Sequence, residues 1–173
     1  HGYVGTKEGC GDGDCGACTV VMIGADAAGQ PQYQAVNSCL LPVGTLGGRH
    51  IYTVEGIANG HLHPVQQAMV DLGGSQCGYC TPGFIMSLFA GYYSDRVADE
   101  VTVEGNLCRC TGYLPIRRAA QRVAAEPHAE DTFSQMLSQV SPQLEGTAYS
   151  AHGQQFYRPT QLAEVLELLA AHP

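Results

Sequence analysis

Positive charge is scarce in this chain. Among 173 residues, 8 Lys and Arg face 16 Asp and Glu, leaving a formal net charge of −8 and a pI near 5.2. So acidic a balance argues against nucleic acid or an anionic membrane as partner. Long hydrophobic runs are missing as well: none approaches the ~18 consecutive apolar residues needed to cross a bilayer. There is no signal-peptide pattern, although the chain opens on His1 rather than Met, so a lost N-terminal segment stays open. No phosphate-binding glycine motif is present. None of the 7 histidines can be placed in a Ser-His-Asp arrangement, and each reads as a surface or capping residue. Nor does any histidine follow a cysteine at the close spacing of a Rieske centre. With no recognisable catalytic acid, base or nucleophile, whatever chemistry the chain has must lie in its thiols.

Those thiols are abundant, 8 cysteines in all. Four disulfides could absorb them, in any of 105 connectivities. The cysteines fall instead into two groups of four, each with a C-x2-C pair, and nothing marks secretion, so reduced metal-binding thiols in a cytoplasmic protein are expected. The first group is dense: Cys10, Cys15 and Cys18 are interleaved with Gly11, Gly13 and Gly16 and preceded by Gly9, and Cys39 follows after room for a strand, a turn and a second strand. C-x4-C-x2-C…C is the ligand spacing of plant-type [2Fe-2S] ferredoxins. The glycines have a physical reason. A cluster is held by four thiolates, its sulfurs accept backbone N–H bonds, and a loop aims several N–H groups inward cheaply only where φ can be positive. Zinc knuckles pair one C-x2-C with another, which this group does not. Asp12 and Asp14 are expected on the solvated rim of the loop.

After Cys18, Thr19 to Ile23 reads as a buried strand, Gly24 to Gln32 as a turn, Tyr33 to Leu41 as a strand delivering Cys39, and Arg49 to Val54 as a third. Three short strands with an open edge make a marginal sheet. A cluster on these cysteines is therefore expected to be the first lost under denaturant. From residue 63 the period lengthens. Pro64 opens a helix with Val65, Ala68, Met69 and Leu72 on one face and Gly73-Gly74 as its stop. Thr81 as cap and Pro82 as opener start another, through about Tyr93, with Ile85, Leu88, Phe89 and Tyr92 on the buried stripe. Pro115 starts a third, turning Ile116, Ala119, Ala120 and Val123 inward; Arg117, Arg118 and Arg122 form an exposed face, either solvated or a docking surface. Residues 126 to 154 are polar and read as a linker, with Phe133, Met136, Leu137 and Val140 in a short amphipathic turn or two. A last helix carries Leu162, Val165, Leu166 and Leu169 at helical spacing.

The second cysteine group is Cys77, Cys80, Cys108 and Cys110. The first pair sits before the helix at Pro82, whose positive end favours thiolate. Cys108 and Cys110 would stay some ~6 to 7 Å apart on an extended strand, and the Gly105-Asn106 and Thr111-Gly112 flanks permit a turn that brings them closer. A four-thiolate zinc site is a real alternative here. A neighbouring iron–sulfur loop favours a second cluster, the two together making an electron wire.

Three motifs then stand out: Gly5-Thr6-Lys7-Glu8-Gly9-Cys10 through Cys15-Gly16-Ala17-Cys18-Thr19-Val20, Gln76-Cys77-Gly78-Tyr79-Cys80-Thr81-Pro82-Gly83-Phe84, and Gly105-Asn106-Leu107-Cys108-Arg109-Cys110-Thr111-Gly112-Tyr113. In order and spacing they resemble the iron–sulfur part of the xanthine dehydrogenase family of molybdenum hydroxylases, over residues 1 to about 125. The resemblance implies an α+β chain: a plant-type, β-grasp ferredoxin-like domain (1–56, N-terminally incomplete), a four-helix-bundle domain (57–125), a linker (126–154) and, from Phe156-Tyr157-Arg158-Pro159-Thr160, the start of an FAD-binding domain (155–173). It also implies two [2Fe-2S] clusters, one on Cys10, Cys15, Cys18 and Cys39 and one on Cys77, Cys80, Cys108 and Cys110, with Gln76 and Cys110 touching a molybdopterin on a partner subunit or domain. Gln76 has a plain capping role as its alternative. Electrons from purine hydroxylation, xanthine or hypoxanthine to urate, would pass through the two clusters to FAD and then NAD. An aldehyde oxidase or other molybdenum hydroxylase, a stand-alone ferredoxin-like carrier and a zinc-stabilised interaction module are the alternatives.

Overall fold

The structure, a computed structural model, describes residues 2–94, 96–128, 130–141 and 146–172. The chain divides into two compact units, residues 1–41 with 49–142 and residues 42–48 with 143–173.

In the first unit β1 (Thr19–Ala25) lies antiparallel between β2 (Pro31–Asn37) and β3 (Ile51–Tyr52), with Thr19 opposite Asn37, Ala25 opposite Pro31 and Met22 opposite Ile51. Its β-branched run keeps Thr19, Val20, Val21 and Ile23 buried. The β1–β2 turn is tied by Asp26, whose Oδ1 accepts the N–H groups of Ala28 and Gln30, both at 2.8 Å. Two strands are shorter than expected. The second ends at Asn37, and Cys39 sits instead in a single 3-10 turn, Ser38–Leu40, where Ser38 Oγ donates to Cys18 O at 2.7 Å. The third keeps only its two central residues.

Five helices follow: α1 (Pro64–Asp71), α2 (Thr81–Tyr92), α3 (Val101–Glu104), α4 (Leu114–Ala125) and α5 (Thr132–Gln139). The third lies where only a connection was expected. α2 buries every residue from Gly83 to Tyr92 rather than one stripe. The reason is its position, packed on β1 and β2 as well as on α1, α3 and α4. Its N-cap is Cys80 instead of Thr81, with no side-chain capping bond, and the Thr81 hydroxyl donates to Ser75 Oγ at 2.8 Å. Val21, Ile23 and Tyr33 of the sheet share one core with Phe84, Met86, Leu88, Phe89, Ile116 and Val123. The sheet and the helices thus share buried contacts across residues 56 and 57.

The stretch expected as a linker is structured where it is described. Asp131 caps α5, its Oδ1 accepting from Phe133 N at 3.0 Å and Ser134 N at 2.8 Å, and Phe133 meets Phe89 edge-on at 5.1 Å. Arg117 and Arg122 are in ion pairs with Glu100 and with Asp71 and Glu126, so most of the basic face of α4 is engaged within the chain.

The second unit pairs β4 (Thr147–Ala151) with β5 (Gln154–Arg158) and adds α6 (Leu162–Ala171). Tyr149 stacks on Phe156 at 5.0 Å, and Arg158 Nη1 donates to Gly47 O at 2.9 Å. Apolar clefts beside α6 are lined by Tyr157, Pro159 and Leu168, and no cysteine lines them. Among the described residues no helix is long and apolar enough to cross a membrane.

Candidate metal centres

Both cysteine quartets assemble in the first unit. Cys10 to Cys18 form a loop with positive φ at Gly11, Gly13 and Gly16. The Cys15 amide donates to Cys10 Sγ at 3.4 Å, and Cys15 lies beside Cys10 and Cys18, Cys39 beside Cys18 and Cys10. Asn37 Nδ2 donates to Gly13 O at 2.6 Å, holding the loop against the end of β2. A Cβ on Gly9 would lie 2.8 Å from Cys15 Sγ, so a side chain there would fill the cradle. Asp12 and Asp14 are exposed, as expected of a rim.

The second quartet gathers between the start of α2 and the start of α4. Gly78, at φ +84, turns the Cys77–Cys80 segment, and Gly112, at φ +65, turns the segment after Cys110. Here too the thiols are neighbours, Cys77 beside Cys110 and Cys108, and Cys80 beside Cys108 and Cys77. Thr111 approaches Cys108 Sγ twice, through its hydroxyl at 3.0 Å and its N–H at 3.4 Å. Cys18 and Cys108 are buried, Cys15, Cys39 and Cys80 half-buried, and Cys10, Cys77 and Cys110 exposed. Gln76 lies exposed beside Cys77 and does not cap α2.

The protonation pattern follows these neighbours. The Tyr79 N–H lowers the Cys77 thiol, while its partner Cys110 is raised by the bond to Cys77. Burial, reinforced by Cys108, pushes Cys80 up to about 12. Burial also opposes ionisation of Cys108, but the Thr111 hydroxyl and N–H outweigh it and Cys108 is lowered.

Among the described residues no three His, Cys, Asp or Glu side chains converge as the ligands of one metal ion. A structural zinc site would set four sulfurs about 2.3 Å from one ion. A two-iron cluster takes two thiolates on each iron, and the four thiols of each quartet, with backbone N–H groups on Cys10 and Cys108, suit it.

Several residues in these sites are ones the sequence offered only as parts of motifs. Tyr113 adopts φ +67, and its Oη accepts the Cys108 N–H at 3.0 Å. Tyr79 Oη donates to Glu8 O at 2.5 Å, and Asn106 is buried with its carboxamide fully bonded. Asn106 follows a glycine and reads locally as a turn residue; only its distant partners reveal more.

A [2Fe-2S] binding domain family model matches residues 53–121. The xanthine dehydrogenase of Emericella nidulans is 48% identical over 126 residues, which cover 69% of this chain and 9% of that protein. Among solved structures, quinoline 2-oxidoreductase from Pseudomonas putida 86 superposes with a TM-score of 0.57 at 31% identity, covering 79% of this chain and 77% of that one. The chain belongs to the xanthine dehydrogenase family, as its iron–sulfur region. The aldehyde oxidoreductase of Desulfovibrio gigas agrees, with a TM-score of 0.59 and 37% identity over 70% of this chain and 13% of that one. Such relatives are oxidoreductases, and the α+β architecture of this chain is that of their iron–sulfur parts. The chain spans about a tenth of the length of the first curated relatives it matches.

Proposed function

We propose that the chain carries electrons within a xanthine dehydrogenase-type molybdenum hydroxylase, holding one [2Fe-2S] cluster on Cys10, Cys15, Cys18 and Cys39 and another on Cys77, Cys80, Cys108 and Cys110. The observation that carries the reading is the cradle around each quartet: positive-φ glycines turn both cysteine segments, and backbone N–H groups point at Cys10 Sγ and Cys108 Sγ. A [2Fe-2S] cluster, when bound, takes up and releases one electron at a time. The chain's own part is to supply thiolates, to aim N–H groups at sulfur and to hold water off the inner side. Cys15 N–H on Cys10 and Thr111 N–H on Cys108 are such bonds, and donors to a ligand sulfur tune its potential. The two quartets have different donors and different exposure, so their potentials should differ.

The finer assignments follow the family. Gln76 and Cys110, both exposed, face a molybdopterin-bearing subunit or domain. The 1–56 segment serves as the β-grasp ferredoxin-like part and 57–125 as the helical bundle, and the last residues begin an FAD domain that hands electrons to NAD. A purine, xanthine or hypoxanthine, is the proposed substrate of the whole enzyme. The likeness to an aldehyde oxidoreductase supports an aldehyde as the second reading, and turnover of the complete enzyme with each substrate separates the two.

The test of the ligand assignment is chemical. Reconstituted with iron and sulfide, the chain should be brown and hold about four of each, two per cluster, and after reduction give two EPR signals. Cys39→Ser should remove one signal and Cys108→Ser the other. Stoichiometric zinc without visible absorption overturns the reading.

A further inference from the structure

The two quartets are joined by bonds that neither needs to hold its own metal. The Leu107 N–H, next to Cys108, donates to the carbonyl of Cys15 at 2.9 Å. Beside it stands Asn106, 4% exposed, with both ends of its carboxamide engaged. Nδ2 donates to Gly16 O at 3.0 Å and to Thr19 Oγ1 at 3.3 Å, while Oδ1 accepts from Ser87 Oγ at 2.6 Å. Thr19 and Ser87 are buried too. One side chain therefore ties the first cysteine loop and the start of β1 to the middle of α2. The approach is as close as backbone allows: a Cβ on Gly16 would lie 2.2 Å from Gly105 O, and one on Gly83 2.1 Å from Gly16 O.

We propose that Asn106 is the positioning residue for electron exchange between the two quartets. By clamping Gly16 to α2 it holds the adjacent Cys15 carbonyl on the Leu107 amide. That keeps a continuous path, all covalent bonds but for one hydrogen bond, from the Cys15 sulfur to the Cys108 sulfur. The inference rests on the two-cluster reading above. The exchange is a one-electron step: the reduced centre of one quartet is oxidised and the oxidised centre of the other reduced, with no bond broken and no proton moved. Its rate depends on electronic coupling, which decays faster across a van der Waals gap than along a hydrogen bond. Another tie between the loops, Tyr79 Oη to Glu8 O, enters the first loop two residues before Cys10 and passes through a whole tyrosine side chain, a longer route. Asn106 is not a ligand in this reading, so both quartets should still load without it.

Asn106→Ala tests this in the chain reconstituted with iron and sulfide. Wild-type protein should hold both centres, show their EPR signals split by mutual spin coupling when both are reduced, and equilibrate one radiolytically added electron between them. In Asn106→Ala the iron content and both signals should remain. The splitting should shrink, the Leu107 amide should exchange faster with solvent, and the intercentre rate should fall. Unchanged splitting and rate at full iron content overturn the proposal. Where Asn106→Ala does not fold, Ser87→Ala, which frees only Oδ1, decides: a smaller fall in rate supports the clamp, and an unchanged rate overturns it. A wild-type chain that loads fewer than two centres overturns the ligand assignment itself, and this is counted before any variant is compared.

Discussion

At the scale of single residues, the glycines with positive φ divide by what surrounds them. Gly16 has φ +66 and a Cβ there would meet Gly105 O at 2.2 Å and Asn106 Nδ2 at 2.4 Å, whereas Gly29 has φ +78 with nothing within 4 Å. Both substitutions to alanine incur the left-handed backbone cost of about 1 to 2 kcal/mol. Only Gly16→Ala must also push backbone apart. Urea titration should show Gly29→Ala losing about 1 kcal/mol and Gly16→Ala at least twice that, with loss of the first cluster. Equal losses would mean that the contact between the loops yields easily. A cysteine loop rich in glycine was legible in the sequence because ligand spacing and glycine content are local signals. The need for glycine at 16 was not, because the atoms that crowd it belong to a segment some ninety residues away.

At the scale of elements, α5 shows how a short helix escapes sequence reading. Phe133, Met136, Leu137 and Val140 do have helical spacing, but eight residues between polar flanks give too weak a period to outweigh a linker's composition. What makes it a helix is its docking. Asp131 caps it, Tyr33 Oη donates to Phe133 O at 2.9 Å, and Phe133 packs among Phe89, Tyr52 and His63. The helices behind Pro64 and Pro115 were legible for the opposite reason: proline at the first turn and an apolar stripe lie close together in sequence. Phe133→Ala should cost about 1 to 3 kcal/mol, below the value for a fully buried aromatic because this ring is half-buried. Limited proteolysis should find residues 130–141 protected in the wild type and cut early in the variant. Rapid cleavage of the wild type in that stretch would restore the linker reading.

At the scale of the first unit, the sheet and helices share one core, and that changes what denaturation should do. Read as strands alone, the first cluster site is the weaker; with Val21, Ile23 and Tyr33 packed on α2 it has no separate core to lose. Both EPR signals should therefore vanish together along a urea series. The same unit carries an acid-sensitive joint. His63 caps α1, its Nδ1 accepting from Val65 N at 3.3 Å. Its Nε2–H reaches Tyr93 Oη at 3.0 Å, and Tyr93 donates to Asp131 Oδ2 at 2.5 Å. Burial lowers His63 to about 4, with His61 and His128 adding to the fall and Asp131 opposing it. Protonation would set a second ring N–H against the Val65 N–H and break the cap. A histidine whose pKa is depressed on folding stabilises the fold above its unfolded value near 6.5, and that stability is lost as pH falls from there through 4. The shift corresponds to roughly 3 kcal/mol. Burial raises Asp131 as well, but the bonds from Tyr93 and from the Ser134 and Phe133 amides win and hold it below its usual value. Its contribution therefore disappears only at still lower pH. Urea midpoints of wild type and His63→Asn, a variant that keeps a cap acceptor, should be compared between pH 7 and 4. The wild type should fall more steeply by about 3 kcal/mol; parallel curves would show that His63 is not the group that loosens the unit in acid.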